Sequence, residues 1–190
     1  MAPEGGGGAP LASRPAAVLA GAEAGDLFDR GVVLCAAMLA ATAEASRDTS
    51  VDYAKIRRQF GTAIGAFQAV KHKCSDMAVR CEAATSLTFY AALSVRDRLQ
   101  SAAFDASAAK VLAAEAAMEH ASVCVQVHGG MGVTAQMTPH LYVKRARVLD
   151  QLFRSRRWRL ARVLASPTPR GRRRSGGCVT PSHRSCGSDP

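Results

Sequence analysis

Apolar residues recur at helical spacing in four segments of this chain. The first runs from about Asp26 to Ile56, with a polar interruption at residues 46–50, and its stripe consists of Phe28, Val32, Cys35 and Leu39. The second stripe keeps intervals of three and four over six turns and consists of Val70, Cys74, Met77, Cys81, Ala84, Leu87 and Ala91. Such intervals gather apolar side chains on one side of a helix. The pattern therefore predicts two long helices, each with one buried face.

Two further helices follow. We expect Ser101 to cap the amino end of the third with its hydroxyl. Its expected stripe consists of Phe104, Ala108, Val111, Leu112, Met118, Ala121 and Val125, and the helix ends at the glycines at positions 129, 130 and 132. The fourth begins at Thr138-Pro139, because a capping hydroxyl followed by proline is typical of a helix start, and runs to about Leu164. We expect Gly61 to cap the first helix at its carboxyl end.

Short connections return each helix beside its predecessor, which predicts an all-α, up-down four-helix bundle. Abundant alanine and an aromatic content of 5% agree, because small side chains let helices pack closely. The bundle is expected to span residues 26–164. Glycines and prolines indicate a flexible lead-in at residues 1–25, and residues 165–190 read as a basic, low-complexity, disordered tail.

Basic residues are concentrated at the carboxyl end of the chain. Residues 1–143 hold 12 basic and 13 acidic residues, whereas residues 144–190 hold 13 basic and two acidic ones. The net charge of +10 is thus confined to one end, and the tail arginines lie among Pro, Gly and Ser. This distribution argues against a nucleic-acid-binding domain and for a solvated extension; weak binding of the tail to phosphate polymers is the alternative.

The cysteines and the hydropathy limit what else the chain can be. None of the six cysteines has the close spacing of zinc ribbons or redox motifs, so no metal site is expected, and Cys74 and Cys81 fall at core positions. No uncharged apolar run of about 18 residues is present, so no membrane span is expected. The amino terminus has no basic start before an apolar run, which favours a cytoplasmic location with reduced thiols.

Two short segments about 70 residues apart carry the strongest signal in the sequence. They read Arg57-Arg58-Gln59-Phe60-Gly61 and Gln126-Val127-His128-Gly129-Gly130-Met131-Gly132, with Phe67-Gln68-Ala69-Val70-Lys71-His72 between them. A third segment downstream reads His140-x-Tyr142-x-Lys144-Arg145-Ala146. Together, over about residues 26–164, they resemble the carboxy-terminal helical domain of the acyl-CoA dehydrogenases. Complete members of that family also have an amino-terminal helical domain and a middle β-domain.

The resemblance implies that the chain binds flavin dinucleotide, FAD. It assigns Arg57 to the pyrophosphate of a neighbouring subunit's flavin and Phe60 to the adenine, with Gln68 and Gln126 as further contacts and Gly129 and Gly130 as close backbone approaches. The chemistry suits these roles: a guanidinium is a planar cationic fork, a ring stacks on a purine, and an amide both donates and accepts. The alternative is an arginine that caps a helix and an aromatic ring that fills the core.

The family's reaction removes a proton beside a thioester carbonyl while a hydride passes to the flavin, which requires a carboxylate base. The resemblance places Phe153 at the commonest base position, and residues 31–39, where a second group of members has a glutamate, contain no carboxylate. The nearest acid is Asp150, one turn away. By resemblance, Asp29 contacts the coenzyme A arm; a solvated first helical turn is the alternative.

The resemblance therefore implies an FAD-dependent oxidoreductase that forms the α,β double bond of an acyl-CoA thioester in fatty acid metabolism. We expect this chain to act as a carboxy-terminal fragment or subunit, in a homo-oligomer or with a full-length relative, and to be inactive alone because it lacks a base and two domains. The alternative is a non-catalytic helical module that oligomerises with a full-length relative.

Overall fold

The computed structural model describes residues 21–165, which form five α-helices, two short 3₁₀ helices (Ile64–Ala66 and Gly129–Val133) and one short β-hairpin. In chain order these are α1 (Ala22–Ile56), β1 (Arg58–Gln59), β2 (Thr62–Ala63), α2 (Gln68–Arg96), α3 (Ala102–His128), α4 (Pro139–Gln151) and α5 (Arg156–Ala165). The expected all-α fold is confirmed. Helix α1 begins four residues before the expected boundary at Asp26. The remaining expected lead-in and tail, residues 1–20 and 166–190, lie outside the described residues.

Most of the residues in the stripes expected for α1 and α2 are buried, while Phe28, Val70, Cys74 and Leu87 are partly exposed. The fully buried members are Val32, Cys35, Leu39, Met77, Cys81, Ala84 and Ala91. The polar interruption does not break α1, because its hydroxyls bond within the helix. Ser46 Oγ donates to the Thr42 carbonyl and Ser50 Oγ donates to the Ser46 carbonyl, both at 2.7 Å, so these buried groups are satisfied one turn back.

Helix α3 lies at the centre of the bundle and packs against α1, α2, α4 and α5. The single stripe expected for it is wrong: of those seven residues only Ala121 is fully buried, and the others are partly exposed. Its closest packing instead involves alanines, namely Ala106, Ala109, Ala113, Ala116 and Ala117. A helix that is surrounded by others buries several faces, and small side chains allow the close approach.

The segment after α1 is a hairpin rather than a helix cap. Strand β1 pairs antiparallel with β2, with Arg58 opposite Ala63 and Gln59 opposite Thr62. The two-residue turn between them is Phe60-Gly61, with φ of 52° and 81°. Positive φ at both turn positions is typical of the tight hairpin turns that match strand twist. The expected capping role of Gly61 is therefore wrong, and Phe60 is placed at the hairpin tip.

The fourth helix is not continuous. It ends at Gln151 and restarts at Arg156, because Phe153 and Arg154 adopt left-handed φ values of 55° and 81°. Buried cations hold the freed carbonyls of this turn. Lys110 Nζ donates to the Leu152 carbonyl at 2.6 Å, and Arg159 Nη2 donates to the carbonyls of Leu152 (2.6 Å), Phe153 and Arg154 (2.8 Å). Cations at the carboxyl end of a helix are also favoured by its dipole.

Candidate functional site

The two motif segments meet at one end of the bundle. The Tyr53 ring, near the end of α1, stacks on the His128 ring at the end of α3, with centroids 4.0 Å apart. Lys73 Nζ, in the first turns of α2, donates to Gln126 Oε1 at 3.1 Å. The hairpin joins α1 to α2 at the same end. The residues assigned to the flavin by sequence are thus carried by neighbouring segments.

Arg57 and Phe60 are both exposed at this end. The Arg57 backbone is fixed, because its N–H donates to the Tyr53 carbonyl at 2.9 Å and its carbonyl accepts from Ile64 N–H at 2.8 Å. Its guanidinium makes no hydrogen bond or ion pair with another residue of the range 21–165. Phe60 is 93% exposed and touches Phe67 edge-on at 6.2 Å between centroids. Arg57 is the carboxyl-terminal cap residue of α1 through its backbone N–H, but its guanidinium bonds to no helix carbonyl and the Phe60 ring does not enter the core.

The other assigned residues are also accessible. Gln68 is the exposed first residue of α2, and Gln126 is exposed on the last turn of α3. Gly129 ends α3 with φ of 62°, a conformation that favours glycine, and Gly130 follows it on the surface. A Cβ at either glycine would meet no atom within 4 Å, so the backbone there is open to an incoming group.

Buried groups beneath this surface fix its shape. His128 is buried, and its Nδ1 lies 2.8 Å from the Cys124 carbonyl one turn earlier. Burial raises the pKa of the Cys124 thiol, which keeps it protonated at neutral pH. We interpret both as supports for the end of α3. Sequence reasoning missed Tyr53 as the partner of His128 and Lys73 as the partner of Gln126, since residues that far apart in sequence carry no local signal of contact.

A second group of predicted residues lies elsewhere on α1. The Phe153 ring packs directly over Gly31, where an added Cβ would lie 2.5 Å from Phe153 Cζ. The commonest base position of the resemblance, at Phe153, therefore adjoins the start of the region 31–39, and neither Phe153 nor that region carries a carboxylate. Phe28 holds the ring edge-on at 5.9 Å between centroids. At the base position that the resemblance implies, this chain thus has an aromatic side chain packed against α1.

The two acidic residues considered in sequence have other neighbours. Asp29 is buried and forms a two-point ion pair with Arg162, at 2.9 and 3.3 Å, so the interpretation of Asp29 as part of a solvated turn is wrong. Asp150 lines a cavity of about 180 Å³ that is formed with residues of α3 and with Arg156. The structure does not bring either carboxylate to the Gly31–Phe153 contact.

Two buried cations near this contact were also missed. Burial lowers the pKa of Lys110, and the neighbouring Arg159 lowers it further; burial likewise lowers the pKa of Arg159. Their donors serve the carbonyls of the turn at residues 152–154. The sequence signal for Lys110 was its position as a single lysine in the alanine-rich part of α3. A charge on an apolar helix is stable in the core only if it has a hydrogen-bond acceptor there.

The residues assigned to the flavin are well separated from the Gly31–Phe153 contact. Gly31 and Tyr53 lie on one continuous helix, 22 residues apart, which at about 1.5 Å per residue corresponds to about 33 Å. The exposed cluster of Arg57, Phe60 and Gln126 is therefore remote from this chain's own Gly31–Phe153 contact. Within residues 21–165 no three His, Cys, Asp or Glu side chains gather to hold a metal, and no helix there is both long and apolar enough to cross a membrane.

Comparison with known proteins identifies the family of this helical domain. Residues 23–152 match the family model described as acyl-CoA dehydrogenase, C-terminal domain. Acyl-CoA dehydrogenase FadE34 of Mycobacterium tuberculosis is 40% identical over 150 residues, which is 78% of this chain and 21% of that protein.

Solved structures agree as well. Butyryl-CoA dehydrogenase from Megasphaera elsdenii superposes with a TM-score of 0.69 at 29% identity, over 72% of this chain and 35% of that one. The ChsE4-ChsE5 complex from Mycobacterium tuberculosis gives 0.67 at 28% identity, over 72% of this chain and 37% of that one. The chain thus spans about a fifth to two fifths of these relatives. It belongs to the acyl-CoA dehydrogenase family and carries that family's C-terminal domain.

Proposed function

We propose that this chain contributes Arg57, Phe60, Gln68 and Gln126, with the Gly129-Gly130 backbone, to an FAD site that a second polypeptide completes. The observation that carries the proposal is the exposed Arg57 guanidinium without a protein partner, on the same end of the bundle as the exposed Phe60 ring and Gln126. An exposed cation and an exposed ring, both on a fixed backbone, are suited to an external ligand.

The donor set fits the cofactor. A guanidinium pairs with pyrophosphate oxygens, a phenyl ring stacks on adenine, and two amides offer both donors and acceptors. Lys73 orients the Gln126 oxygen, which leaves the Gln126 NH₂ group as the free donor. When bound, FAD would supply a hydride acceptor. The chain's own contribution is to bind and orient the dinucleotide end of the cofactor.

The position of the base supports a partner-dependent site. The resemblance aligns Phe153 with the family's commonest base position, and the Phe153 ring packs over Gly31, so we propose that this chain supplies no base there. The residues proposed for the flavin lie beyond the far end of α1, where Tyr53 is about 33 Å from Gly31. The arrangement favours a site in which the partner surrounds the reactive flavin ring and supplies the catalytic base and the acyl-CoA pocket. The α,β-dehydrogenation of an acyl-CoA would take place in the partner.

The partner we propose is a full-length family member, in a hetero-oligomer. The ChsE4-ChsE5 complex, which this chain resembles in fold, is an assembly of two differently named proteins.

We also propose that the chain is located in the cytoplasm, because Cys35, Cys81 and Cys124 are buried free thiols that suit a reducing compartment. Asp29, already paired with Arg162, is kept only as a proposed contact to the coenzyme A arm.

The test is complementation of a flavin site. A full-length dehydrogenase of the family in which the matching arginine is replaced is mixed with this chain, and bound FAD is measured by visible absorbance after gel filtration. Recovery of bound flavin with the chain supports the proposal. Co-elution of the two proteins with no gain of flavin contradicts it.

That second outcome supports the alternative function, a non-catalytic assembly module. The observation in its favour is the Phe153 side chain packed over Gly31, which closes the place of the base in this chain. A module of this kind would bind its relative through helix faces and leave the relative's flavin and its turnover unchanged.

A further inference from the structure

Helix α4 carries a narrow apolar ridge on its outward side. The ridge consists of Leu141, Val148 and Leu152, the residue that follows the helix, and these are 51%, 63% and 45% exposed. At about 100° per residue their positions fall within about 40° of one another around the helix axis, and they span about 16 Å along it. Ala146 and Leu149 are buried against the bundle. The ridge therefore points away from the core, and within residues 21–165 no element covers it.

Three cations stand beside the ridge. The helical spacing places Lys144 and Arg147 on one flank and Arg145 on the other, and all three are exposed. In the described part of the chain none of them forms an ion pair or a side-chain hydrogen bond. Residues 139–165 contain eight lysines and arginines and one acidic residue, Asp150. The outward side of α4 is thus an apolar line bordered by positive charge that no carboxylate neutralises.

A surface that is anionic outside and apolar beneath complements this arrangement. A nucleic acid backbone would pair with the cations but would offer nothing apolar to the ridge. In a bilayer of anionic phospholipids the phosphates lie above the acyl chains. Lysine and arginine reach such phosphates with their long aliphatic stems while apolar neighbours insert below them. The combination of ridge and cations therefore favours a lipid surface over a nucleic acid.

We propose that this side of α4 binds the surface of membranes that are rich in anionic phospholipids. Helix α4 then lies in the plane of the lipid headgroups, with the ridge inserted between them and the three cations at the phosphates. The cytoplasmic leaflet of a cell membrane, which faces the compartment proposed above, carries anionic lipids. One helix of 13 residues with three cations gives reversible binding that salt weakens.

Two variants of α4 and two matched controls on α2 test the proposal. Val148→Glu puts a carboxylate on the ridge, and Lys144→Glu reverses a charge on its flank. Val79→Glu and Lys71→Glu make the same two changes on α2, where both residues are exposed. All four positions are exposed helix positions, so the fold tolerates the substitutions.

The experiment is co-sedimentation of the full chain, without added flavin, with vesicles of two compositions. One contains equal parts of phosphatidylglycerol and phosphatidylcholine, and the other contains phosphatidylcholine alone. We expect binding to the mixed vesicles only. The lipid concentration at half-maximal binding should rise on the order of tenfold in Val148→Glu and in Lys144→Glu and should stay nearly unchanged in the two controls.

Three results would overturn the proposal. The first is a chain that binds neither kind of vesicle. The second is binding that Lys144→Glu weakens and Val148→Glu does not, because charge alone would equally attract a nucleic acid or an acidic protein. The third is binding that changes equally, or not at all, in the α4 variants and the controls, which places the contact outside α4.

Helical circular dichroism of each variant confirms that a loss of binding is not a loss of fold. The measurement uses neither cofactor nor partner protein. Failure of vesicle binding therefore leaves the flavin complementation result standing, and failure of complementation leaves the membrane contact standing.

Discussion

The ring of Phe153 occupies the space over Gly31 that any larger residue at position 31 would need, with Phe153 Cζ 2.5 Å from the place of a Cβ. This contact joins the turn between α4 and α5 to the first half of α1. Phe153 is also the residue that the resemblance aligns with the family's commonest base position. The relationship has a direct consequence for stability.

Gly31→Ala is expected to destabilise the fold by about 1 kcal/mol, because the added methyl group displaces the Phe153 ring. The matched control is Gly25→Ala on the same helix, where a Cβ meets nothing within 4 Å. There the better helix propensity of alanine should stabilise by about 0.5–1 kcal/mol. Urea unfolding of both variants shows whether the free energy of unfolding falls in Gly31→Ala and rises in Gly25→Ala. In a Phe153→Ala background the penalty at position 31 should disappear; a penalty that persists would refute the ring contact as its cause.

At position 154, replacement by glycine should give a more stable protein than replacement by alanine. Its φ of 81° is left-handed, which costs a residue with a Cβ about 1–2 kcal/mol. Arg154→Gly and Arg154→Ala both remove the guanidinium that lies 5.7 Å from the Trp158 ring centroid. The difference between them therefore isolates the backbone. Thermal unfolding should show the glycine variant to be more stable than the alanine variant by about 1 kcal/mol, and equal stability would argue against a left-handed residue there.

Arg159→Met should destabilise the chain by about 2 kcal/mol, because the carbonyls of Phe153 and Arg154 lose their buried donor. Arg157→Met is the control: Arg157 is exposed on the same helix, and its replacement should change the free energy of unfolding by less than about 0.5 kcal/mol. Both values come from urea unfolding curves. Equal effects in the two variants would mean that the carbonyl contacts of Arg159 do not hold the turn.

His120 should make stability depend on pH. It is fully buried, its Nδ1 lies 3.1 Å from the Ala43 carbonyl, and burial lowers its pKa below the ordinary 6.5. The folded state therefore binds fewer protons than the unfolded state just below pH 6.5, so the free energy of unfolding should fall as the pH drops from 7 towards 5.

His120→Asn keeps an N–H donor for that carbonyl but does not titrate. Urea unfolding at several pH values should show a shallower loss of stability in the variant than in the natural chain across this window. Parallel curves for the two proteins would show that His120 is not the group responsible.

The features that were predictable from sequence are those set by local pattern. The stripes of α1 and α2 followed from spacing alone, and Ala22–Ile56 remains helical through its polar stretch because Ser46 and Ser50 bond to their own helix. The family resemblance rested on short segments whose residues could be read directly, and comparison with relatives confirms it.

The features that sequence missed depend on distant partners. Nothing local distinguishes Gly61 as a hairpin residue from Gly61 as a helix cap, because both need positive φ. The break at residues 152–155 is held by Lys110, some 40 residues away, so helical periodicity alone read α4 and α5 as one helix. The meeting of Phe153 with Gly31 likewise requires the packed bundle.

The central claim is tested most directly at Arg57. In the complemented assembly of this chain with a relative that lacks the matching arginine, the dissociation constant of FAD is measured by fluorescence titration for the natural chain, for Arg57→Ala and for Arg58→Ala, its exposed neighbour on β1. We predict a loss of affinity of about thirtyfold or more for Arg57→Ala and little change for Arg58→Ala. Equal affinity in all three assemblies would contradict the account.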